Sequence, residues 1–373
     1  MAKILHTADI HLGIKLSGLG KSGDKVRAAL KDSISKLVEI ALEQKVDAVV
    51  IAGDLFDSNR ISKPLFDFAM REISRLEDVP VVLIPGTHDC LEEQSVYVTM
   101  EEAECPKNLF IFDHPDKNKL EFPERGLTFY CNVNTSRTSS ESPLADLKPD
   151  ETPGTHIAIA HGSVQIPGKS SPKDWPIKLD EIENSGFDYV ALGHWHSYFR
   201  LPTLKVPAVY SGTPEPMSFK HQDAGWASLV EFEPDKVEIE KVKLGKLEWN
   251  TIELPCTSFK YTLELEREIS KHISENRLLK VLLNGVFPSD GYIDFDRLHE
   301  HMADRFLYLE VVNRTETVPS DMLKLNLPET TILGQYIHLV SEKIAHEEDE
   351  YESELLNDSM KLGYALLSGK DVI

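Results

Sequence analysis

The sequence lacks the features of a membrane-spanning, secreted or disulfide-bonded protein. It has no run of about 18 apolar residues, so no transmembrane helix is expected. Its four cysteines are scattered and include no Cys-x-x-Cys pair, which favours reduced thiols. The N-terminal residues, from Met1 to His6, lead directly into an apolar run and leave no room for a signal peptide. We therefore expect a cytoplasmic protein with no membrane contact.

Positive charge is also scarce in this chain. It has 40 lysine and arginine residues against 62 aspartate and glutamate residues, which gives a net charge of -22. That balance argues against a generally basic surface that coats DNA. It does not exclude nucleic acid, because a metal-lined cleft adds positive charge that the formal count omits. Acidic residues are concentrated at 342–358, which we interpret as a solvated helix face or linker, with a partner-binding tail as the alternative.

The length and the apolar pattern predict more than one domain. A chain of 373 residues is too long for one typical domain. In its first half, strand-like runs alternate with helical patterns at 26–43 and 63–76, which predicts an α/β domain with a partly parallel sheet. Further strands are predicted at 208–213, 226–233 and 237–244, as a second sheet, and at 261–265, 278–283 and 306–312, which with a helix at 295–305 predict a small α+β domain before a helical region at 332–367.

Five apolar runs in the first part of the chain each end on aspartate, histidine or both. The runs cover residues 4–8, 48–52, 79–84, 156–160 and 189–192. Open α/β sheets hold ligands at the carboxyl ends of their strands. Imidazole groups mixed with carboxylates suit Mn, Fe, Zn or Co rather than Mg or Ca. The polar residues at these ends are Asp9, His11, Asp54, His88, Asp89, His161, His194 and His196.

The spacing of these residues predicts a pair of metal ions. Residues two apart at a strand end point the same way, so Asp9 and His11 can reach one metal cluster together, as can His194 and His196. Asp54 is the candidate for a carboxylate shared between two ions. Two ions about 3.5–4 Å apart form a clamp for in-line attack on phosphorus.

His88 is the candidate for the catalytic histidine. It is expected to stabilise the transition state or to protonate the leaving oxygen, and Asp89 is expected to orient it. Neighbouring residues have simpler interpretations: Asp57 is expected in a turn or helix cap, and Cys90 in the packed core. His161 taken alone fits a hydrogen-bonded polar residue better than a ligand, and only the ordered set favours ligation.

The ordered set Asp-x-His, Gly-Asp-x-x-Asp, Gly-x-His-Asp, His-Gly and Gly-His-x-His resembles the calcineurin-like metallophosphoesterases over about residues 3–245. The runs HTADIHLG, DAVVIAGDLFD, GFDYVALGHWH and YSGTPEPMSF are similar to those of the SbcD-type DNA double-strand-break repair nucleases. The resemblance implies an α/β fold. It places a two-sheet αββα catalytic sandwich at 1–248, a small α+β capping domain at 249–330 and a helical C-terminal region at 331–373.

The resemblance also implies the roles of individual residues. Two divalent ions are expected, with Mn favoured and Fe or Zn as alternatives. At one position the family has an asparagine that gives an oxygen to the second metal, and this chain has Thr87, whose shorter hydroxyl is expected to bind that ion more loosely or through water. His88 is implied as catalytic. The implied ligands are Asp9, His11, Asp54 and His196 for the first metal, and Asp54, His161 and His194, with Thr87, for the second.

The function implied is a metal-dependent nuclease that hydrolyses phosphodiester bonds at DNA ends during DNA repair. The implied partners are DNA and an SbcC-type ATPase with a coiled coil, docked on the helical C-terminal region; homodimerisation and the choice between exonuclease and endonuclease action stay open. A phosphatase or phosphodiesterase for a small molecule or nucleotide is the alternative that the acidic charge favours. A binding scaffold with a damaged second metal site is the alternative that Thr87 suggests.

Overall fold

The computed structural model of the chain describes residues 2–100, 105–166, 168, 170–203, 205–234, 236–256, 259, 261–289, 293–325 and 327–370. The chain divides into two compact units, residues 1–247 and 248–373. No helix within the described ranges is long and apolar enough to cross a membrane. The elements of the first unit are β1 (Ala2–Thr7), α1 (Ser22–Glu43), β2 (Ala48–Ala52), α2 (Lys63–Ser74), β3 (Val81–Ile84), α3 (Val96–Thr99), β4 (Leu109–Ile111), β5 (Lys119–Phe122), β6 (Leu127–Tyr130), β7 (Thr155–His161), α4 (Leu179–Glu183), β8 (Tyr189–Gly193), β9 (Phe199–Arg200), β10 (Ala208–Tyr210), β11 (Trp226–Glu233) and β12 (Lys236–Lys243).

The first sheet has the strand order β12-β11-β1-β2-β3-β4, with β1 to β4 parallel. Every residue of β2 and β3 is buried, as expected for parallel strands covered on both faces. Burial of each valine or isoleucine there contributes about 1.5–3 kcal/mol. In α1 the buried residues recur at helical spacing, for example Leu30, Ile34, Leu37 and Ala41, so one face of this helix packs on the sheet core.

The second sheet has the order β5-β6-β7-β8-β10-β9 and lies face to face with the first. Alternate residues of β7 show this arrangement, because successive side chains of a strand point to opposite faces. Ile157 and Ile159 belong to the core shared with the first sheet. Ala158 and Ala160 belong to a separate cluster on the outer face, which includes Ile182 of α4. The α/β fold with two multi-strand sheets is therefore confirmed.

The structure corrects the prediction that residues 226–233 and 237–244 join the second sheet. β11 pairs antiparallel with β1, and β12 pairs antiparallel with β11, so both extend the first sheet. The physical reason is that β1 pairs with β2 along one edge only and leaves its other edge open for β11. Of the three predicted strands, only β10 joins the second sheet, where it runs parallel to β8.

In the second unit, a parallel sheet of order β13-β14-β16 packs on α5 and α6 through Leu265, Ile269, Leu298 and Met302. The predicted strand at 261–265 is wrong, because a helix begins at Thr262 and buries Leu265 and Ile269 one turn apart. The boundary near residue 330 stays a prediction. The elements are β13 (Glu248–Pro255), α5 (Thr262–Ser270), β14 (Ser274–Asn284), β15 (Val286–Pro288), α6 (Phe295–Met302), β16 (Phe306–Asn313), β17 (Glu316–Val318), α7 (Ile332–His346) and α8 (Glu350–Leu367).

Candidate metal centre

The carboxyl ends of β1, β2, β3, β7 and β8 meet between the two sheets. The segment after β1 runs beside the segment after β2: the Asp9 N–H donates to the Gly53 carbonyl (3.1 Å), and the His11 N–H donates to the Asp54 carbonyl (2.9 Å). The His194 N–H, just after β8, donates to both carboxylate oxygens of Asp9 at 3.0 Å. Polar residues from separate parts of the chain are thereby fixed in one pocket.

Several of these residues have a backbone conformation that is unusual for a side chain with a Cβ. The φ angles are +53° at Asp9, +51° at His11, +54° at Asp54 and +106° at His194. Such conformations cost free energy and persist where the surrounding structure holds them, as at functional sites. The chain at these strand ends is therefore not extended, and the alternation rule of a strand does not govern where the side chains point.

One group of ligand atoms lies at the end of β1. Among the described residues, Asp9, His11 and His196 offer three ligand atoms that lie within 4.8 Å of one another. The Nε2 atoms of His11 and His196 are 3.1 Å apart. His11 Nε2 also lies 3.6 Å from Asp54 Oδ2. Two imidazole nitrogens and two carboxylates thus face a common point, which is a donor set that suits a transition metal.

A second group contains Asp9, Asp54 and His161. His161 Nδ1 donates to the Ala52 carbonyl at 2.9 Å, and a carbonyl can only accept, so in the neutral ring, which is the form that binds a metal, Nε2 carries the lone pair. That lone pair lies 3.3 Å from Asp54 Oδ2, yet Nε2 is buried without a well-aligned hydrogen bond. Two acceptors that face each other in a buried pocket need either a proton or a metal cation between them. The residues present therefore fit a divalent metal.

The pKa values of the protein groups in this pocket agree with this fit. Burial raises the pKa of Asp9. Burial also opposes ionisation of Asp54, but the neighbouring His161 holds the pKa of Asp54 well below its usual range. Burial alone lowers the pKa of His161, and the negative charge of Asp54 overcomes this and raises it to about 9. A proton on His161 thus offsets the negative charge of the carboxylates, and a bound metal ion would offset the same charge.

Asp57, which was expected only in a turn or helix cap, lies beside two histidines of the pocket. Its Oδ1 lies 3.4 Å from His11 Nδ1 and 3.7 Å from His88 Nδ1, and these three residues form a third group of ligand types within the described residues. The His88 ring packs edge-on against His11 and is 48% exposed. Asp57 is the second aspartate of Gly-Asp-x-x-Asp, and its place in that motif was the sequence feature that could have indicated a role in the site. Asp57 therefore contacts both the buried ligand candidate His11 and the exposed His88 beside it.

Asp89 has different partners from those expected. Its carboxylate accepts hydrogen bonds from the Phe56 N–H (3.0 Å), the Gly86 N–H (2.7 Å) and the Tyr97 hydroxyl. Burial raises its pKa to about 6. Among the described contacts, the His88 ring meets Asp57, with Nδ1 3.1 Å from the Asp57 carbonyl oxygen. Asp89 therefore ties together the loops after β2 and β3, and the direct contact with His88 belongs to Asp57.

His194 and Thr87 lie at the edge of the pocket. Thr87 is buried, and its hydroxyl lies 3.4 Å from Asp54 Oδ2. His194 joins none of the three groups within the described residues; its ring centre is 5.2 Å from that of His161, and its Nε2 lies 3.0 Å from Asp174 Oδ2. The φ of +106° at His194 means that the strand rule does not set the direction of its side chain, and the expectation that His194 and His196 reach one metal cluster together stays a prediction.

Two residues at this edge gave no signal in the sequence. Asp174, which contacts His194, lies in a polar excursion, and His221, which contacts His196 Nδ1 at 3.0 Å, lies in the loop after β10. Neither residue follows a strand-like run. Their position depends on tertiary packing, so the periodic pattern of apolar residues does not predict it.

Gly193 is required by the close approach of β8 to β2. A Cβ at this position would lie 1.8 Å from the Ala52 carbonyl oxygen and 2.8 Å from His161 Nδ1. We predict that Gly193→Ala lowers the free energy of unfolding by about 3 kcal/mol or more, because the backbone must shift to relieve the clash. Urea unfolding of Gly193→Ala and of Gly18→Ala, whose Cβ meets nothing within 4 Å, tests this. Equal stability of the two variants would contradict it.

Comparison with known proteins adds to this geometry. A family model described as calcineurin-like phosphoesterase matches residues 2–198. The chain is 26% identical over 361 residues to the DNA double-strand break repair protein Mre11 of Sulfurisphaera tokodaii, which covers 92% of this chain and 89% of that protein. It is 26% identical over 301 residues to Mre11 of Methanopyrus kandleri, covering 75% and 64%. It is 24% identical over 338 residues to the uncharacterized metallophosphoesterase YhaO of Bacillus subtilis, covering 84% and 81%.

Proposed function

The chain belongs to the calcineurin-like phosphoesterase family and is a metal-dependent hydrolase of phosphate esters; from that premise we propose that it is a nuclease that cleaves phosphodiester bonds at DNA ends in double-strand-break repair. The observation that carries the proposal is the extent of the similarity to Mre11. It spans 92% of the chain, well beyond the residues 2–198 that the general family model matches. A similarity that includes the second unit supports the substrate of those relatives over a generic phosphate ester.

In this proposal the pocket holds two divalent ions, with Mn favoured and Fe or Zn as alternatives. Such ions supply a nucleophile at neutral pH and neutralise the charge of the phosphate. Asp54 is shared, because its Oδ2 lies near both His11 and His161. The ligands proposed are Asp9, His11, Asp54 and His196 for the first ion, and Asp54, Thr87, His161 and His194 for the second.

His88 is the residue proposed to act on the substrate. It is exposed at the rim beside His11, and Asp57 holds its Nδ1 side, which leaves Nε2 directed away from that contact. Nε2 can donate a proton to the leaving oxygen or a hydrogen bond to the phosphate in the transition state. Asp89 supports this role indirectly. It accepts hydrogen bonds from the Phe56 N–H, two residues after Asp54, and from the Gly86 N–H, two residues before His88, and so fixes the backbone near both.

The helices of the second unit are the proposed docking site for an SbcC-type coiled-coil ATPase. Several large apolar side chains of α7 and α8 are exposed, and a partner helix that docks there would bury them. A homodimer and a cytoplasmic location are also proposed. The exposed side chains are Ile332, Leu339, Tyr351, Leu355, Leu366 and Leu367.

Hydrolysis assays on purified protein test the proposed substrate. With Mn present, we expect cleavage of linear DNA and of bis-p-nitrophenyl phosphate, and no cleavage after a chelator is added. Cleavage of the small ester alone would favour a phosphodiesterase for small molecules or nucleotides, which the net charge of -22 supports. DNA binding without any cleavage would favour a scaffold with a damaged second metal site.

Thr87 gives a prediction about the second ion. We expect Thr87→Asn to tighten binding of that ion by about tenfold, which corresponds to about 1.4 kcal/mol, because an amide oxygen reaches further and is a better neutral ligand than the hydroxyl. Titration calorimetry with Mn on wild type and variant measures this. The exposed turn residue Thr330 provides a matched control, Thr330→Asn. Equal affinities of wild type and Thr87→Asn would refute the prediction.

A further inference from the structure

Asp174 makes the closest described side-chain contact to His194, a proposed ligand that lies outside the three groups of ligand atoms. Its Oδ2 is 3.0 Å from His194 Nε2 and accepts a hydrogen bond from the Ser163 hydroxyl at 2.6 Å. The Trp195 indole N–H in turn donates to that hydroxyl at 3.1 Å. The carboxylate is therefore held on one side by Ser163 and turned toward the His194 ring on the other.

The backbone around Asp174 is fixed by neighbouring segments. The Ser163 N–H donates to the Asp174 carbonyl at 3.1 Å, and a bridge pairs Asp174 with Ser139. Next along the chain, Trp175 is buried and its indole N–H donates to the Ser136 carbonyl at 3.0 Å. Because this segment is held by hydrogen bonds, the Asp174 side chain can keep the His194 ring in one orientation, which a side chain on a mobile loop cannot do.

The contact with Asp174 decides which nitrogen of His194 is available. A carboxylate can only accept, so the proton of the neutral imidazole lies on Nε2, and the lone pair lies on Nδ1. The His194 ring stands edge-on to the His161 ring, with centres 5.2 Å apart. His194 can thus offer a metal ion only its Nδ1.

His196 shows the opposite arrangement. Its Nε2 faces His11 Nε2 at 3.1 Å, and its Nδ1 faces His221 at 3.0 Å. In His196 the nitrogen that faces another ligand candidate is Nε2, whereas Nε2 of His194 faces Asp174 and only Nδ1 is left for an ion. The chain reaches this arrangement because the backbone at His194 turns with a φ of +106°.

We propose that Asp174 is a positioning residue that holds His194 as an Nδ1 ligand of the second divalent ion. The inference rests on the proposed function, which assigns His194 to that ion. A carboxylate behind a ligating imidazole fixes the tautomer and strengthens the donor atom. A stronger imidazole donor matters most at this ion, because Thr87 occupies the position where a stronger oxygen donor is expected. Asp174 offsets that weaker donor by making His194 a better one.

Calorimetric titration with Mn tests this inference without relying on activity. We expect wild type to bind two ions, and Asp174→Ala to keep the first ion and lose about 10- to 100-fold in affinity for the second. Asp174→Asn keeps an acceptor for Nε2–H and should recover part of the loss. Asp180→Ala removes an exposed carboxylate of α4 and is the matched control, with wild-type binding expected.

A double-mutant cycle separates positioning of His194 from other roles of Asp174. If Asp174 acts through His194, then Asp174→Ala causes no further loss of second-ion affinity in a His194→Ala background. Additive losses, or wild-type binding by Asp174→Ala, would overturn the inference and leave the proposed function standing. Wild-type protein that binds one ion or none would overturn the proposed function itself, and this inference with it.

Discussion

Asp54→Asn is expected to abolish measurable hydrolysis and to weaken the binding of both metal ions. Asp54 Oδ2 lies 3.6 Å from His11 Nε2 and 3.3 Å from His161 Nε2, so one carboxylate serves both groups of ligands. An amide keeps the size of the side chain and an acceptor for the His88 N–H, which bonds Asp54 Oδ1 at 2.8 Å. The variant therefore loses the shared negative charge while the loop keeps its hydrogen bond.

The loss of affinity in Asp54→Asn should reach at least about 100-fold, the upper end of the effect of removing an outer partner of a metal ligand. Calorimetry and metal analysis measure it, and hydrolysis of bis-p-nitrophenyl phosphate measures activity. Asp67→Asn, in an exposed ion pair with Lys63 on α2, is the matched control and should behave as wild type. Two ions bound at wild-type affinity in Asp54→Asn would show that Asp54 is not the shared ligand.

His88→Ala should reduce hydrolysis by about 10²–10⁴-fold while leaving the metal content unchanged. The reason is the position of the ring, which is half exposed at the rim and contacts Asp57, while the buried carboxylates Asp9 and Asp54 face other histidines. A residue in that position can reach the substrate. Rates with saturating Mn, together with calorimetric metal counts, measure the two effects separately.

The third group of ligand types makes this experiment decisive for His88. His11, Asp57 and His88 lie close enough to hold an ion among themselves. If they do, His88→Ala would lose an ion along with activity, and His88 would be a ligand. His114→Ala, which removes an exposed loop histidine, controls for general effects of losing an imidazole and should leave both measurements unchanged.

The strand ends of this fold could be predicted because their signal is local. β2 is a buried apolar run followed at once by Gly53 and Asp54, and β8 is a similar run followed by His194. The residues that end such runs in parallel strands must meet at one edge. The pocket built from Asp9, Asp54 and His161 follows from that rule, and the structure brings these three residues together.

The partners of the site could not be predicted, because they depend on contacts between distant segments. Asp174 and His221 reach the pocket from loops, and β11 joins the first sheet through an edge of β1 that the sequence does not mark as free. The residues with positive φ angles here, Asp9 and His194, are not glycines, so the sequence does not reveal these backbone turns. Periodicity reports which residues share a face only while the backbone stays regular.

A crystal structure of the protein grown with excess Mn, with anomalous difference maps, tests the central claim most directly. Two peaks about 3.5–4 Å apart are predicted, on either side of the Asp54 carboxylate, with His196 Nε2 on the first ion and His194 Nδ1 on the second. Peaks on separate surfaces of the chain, or a pocket without manganese, would contradict the account.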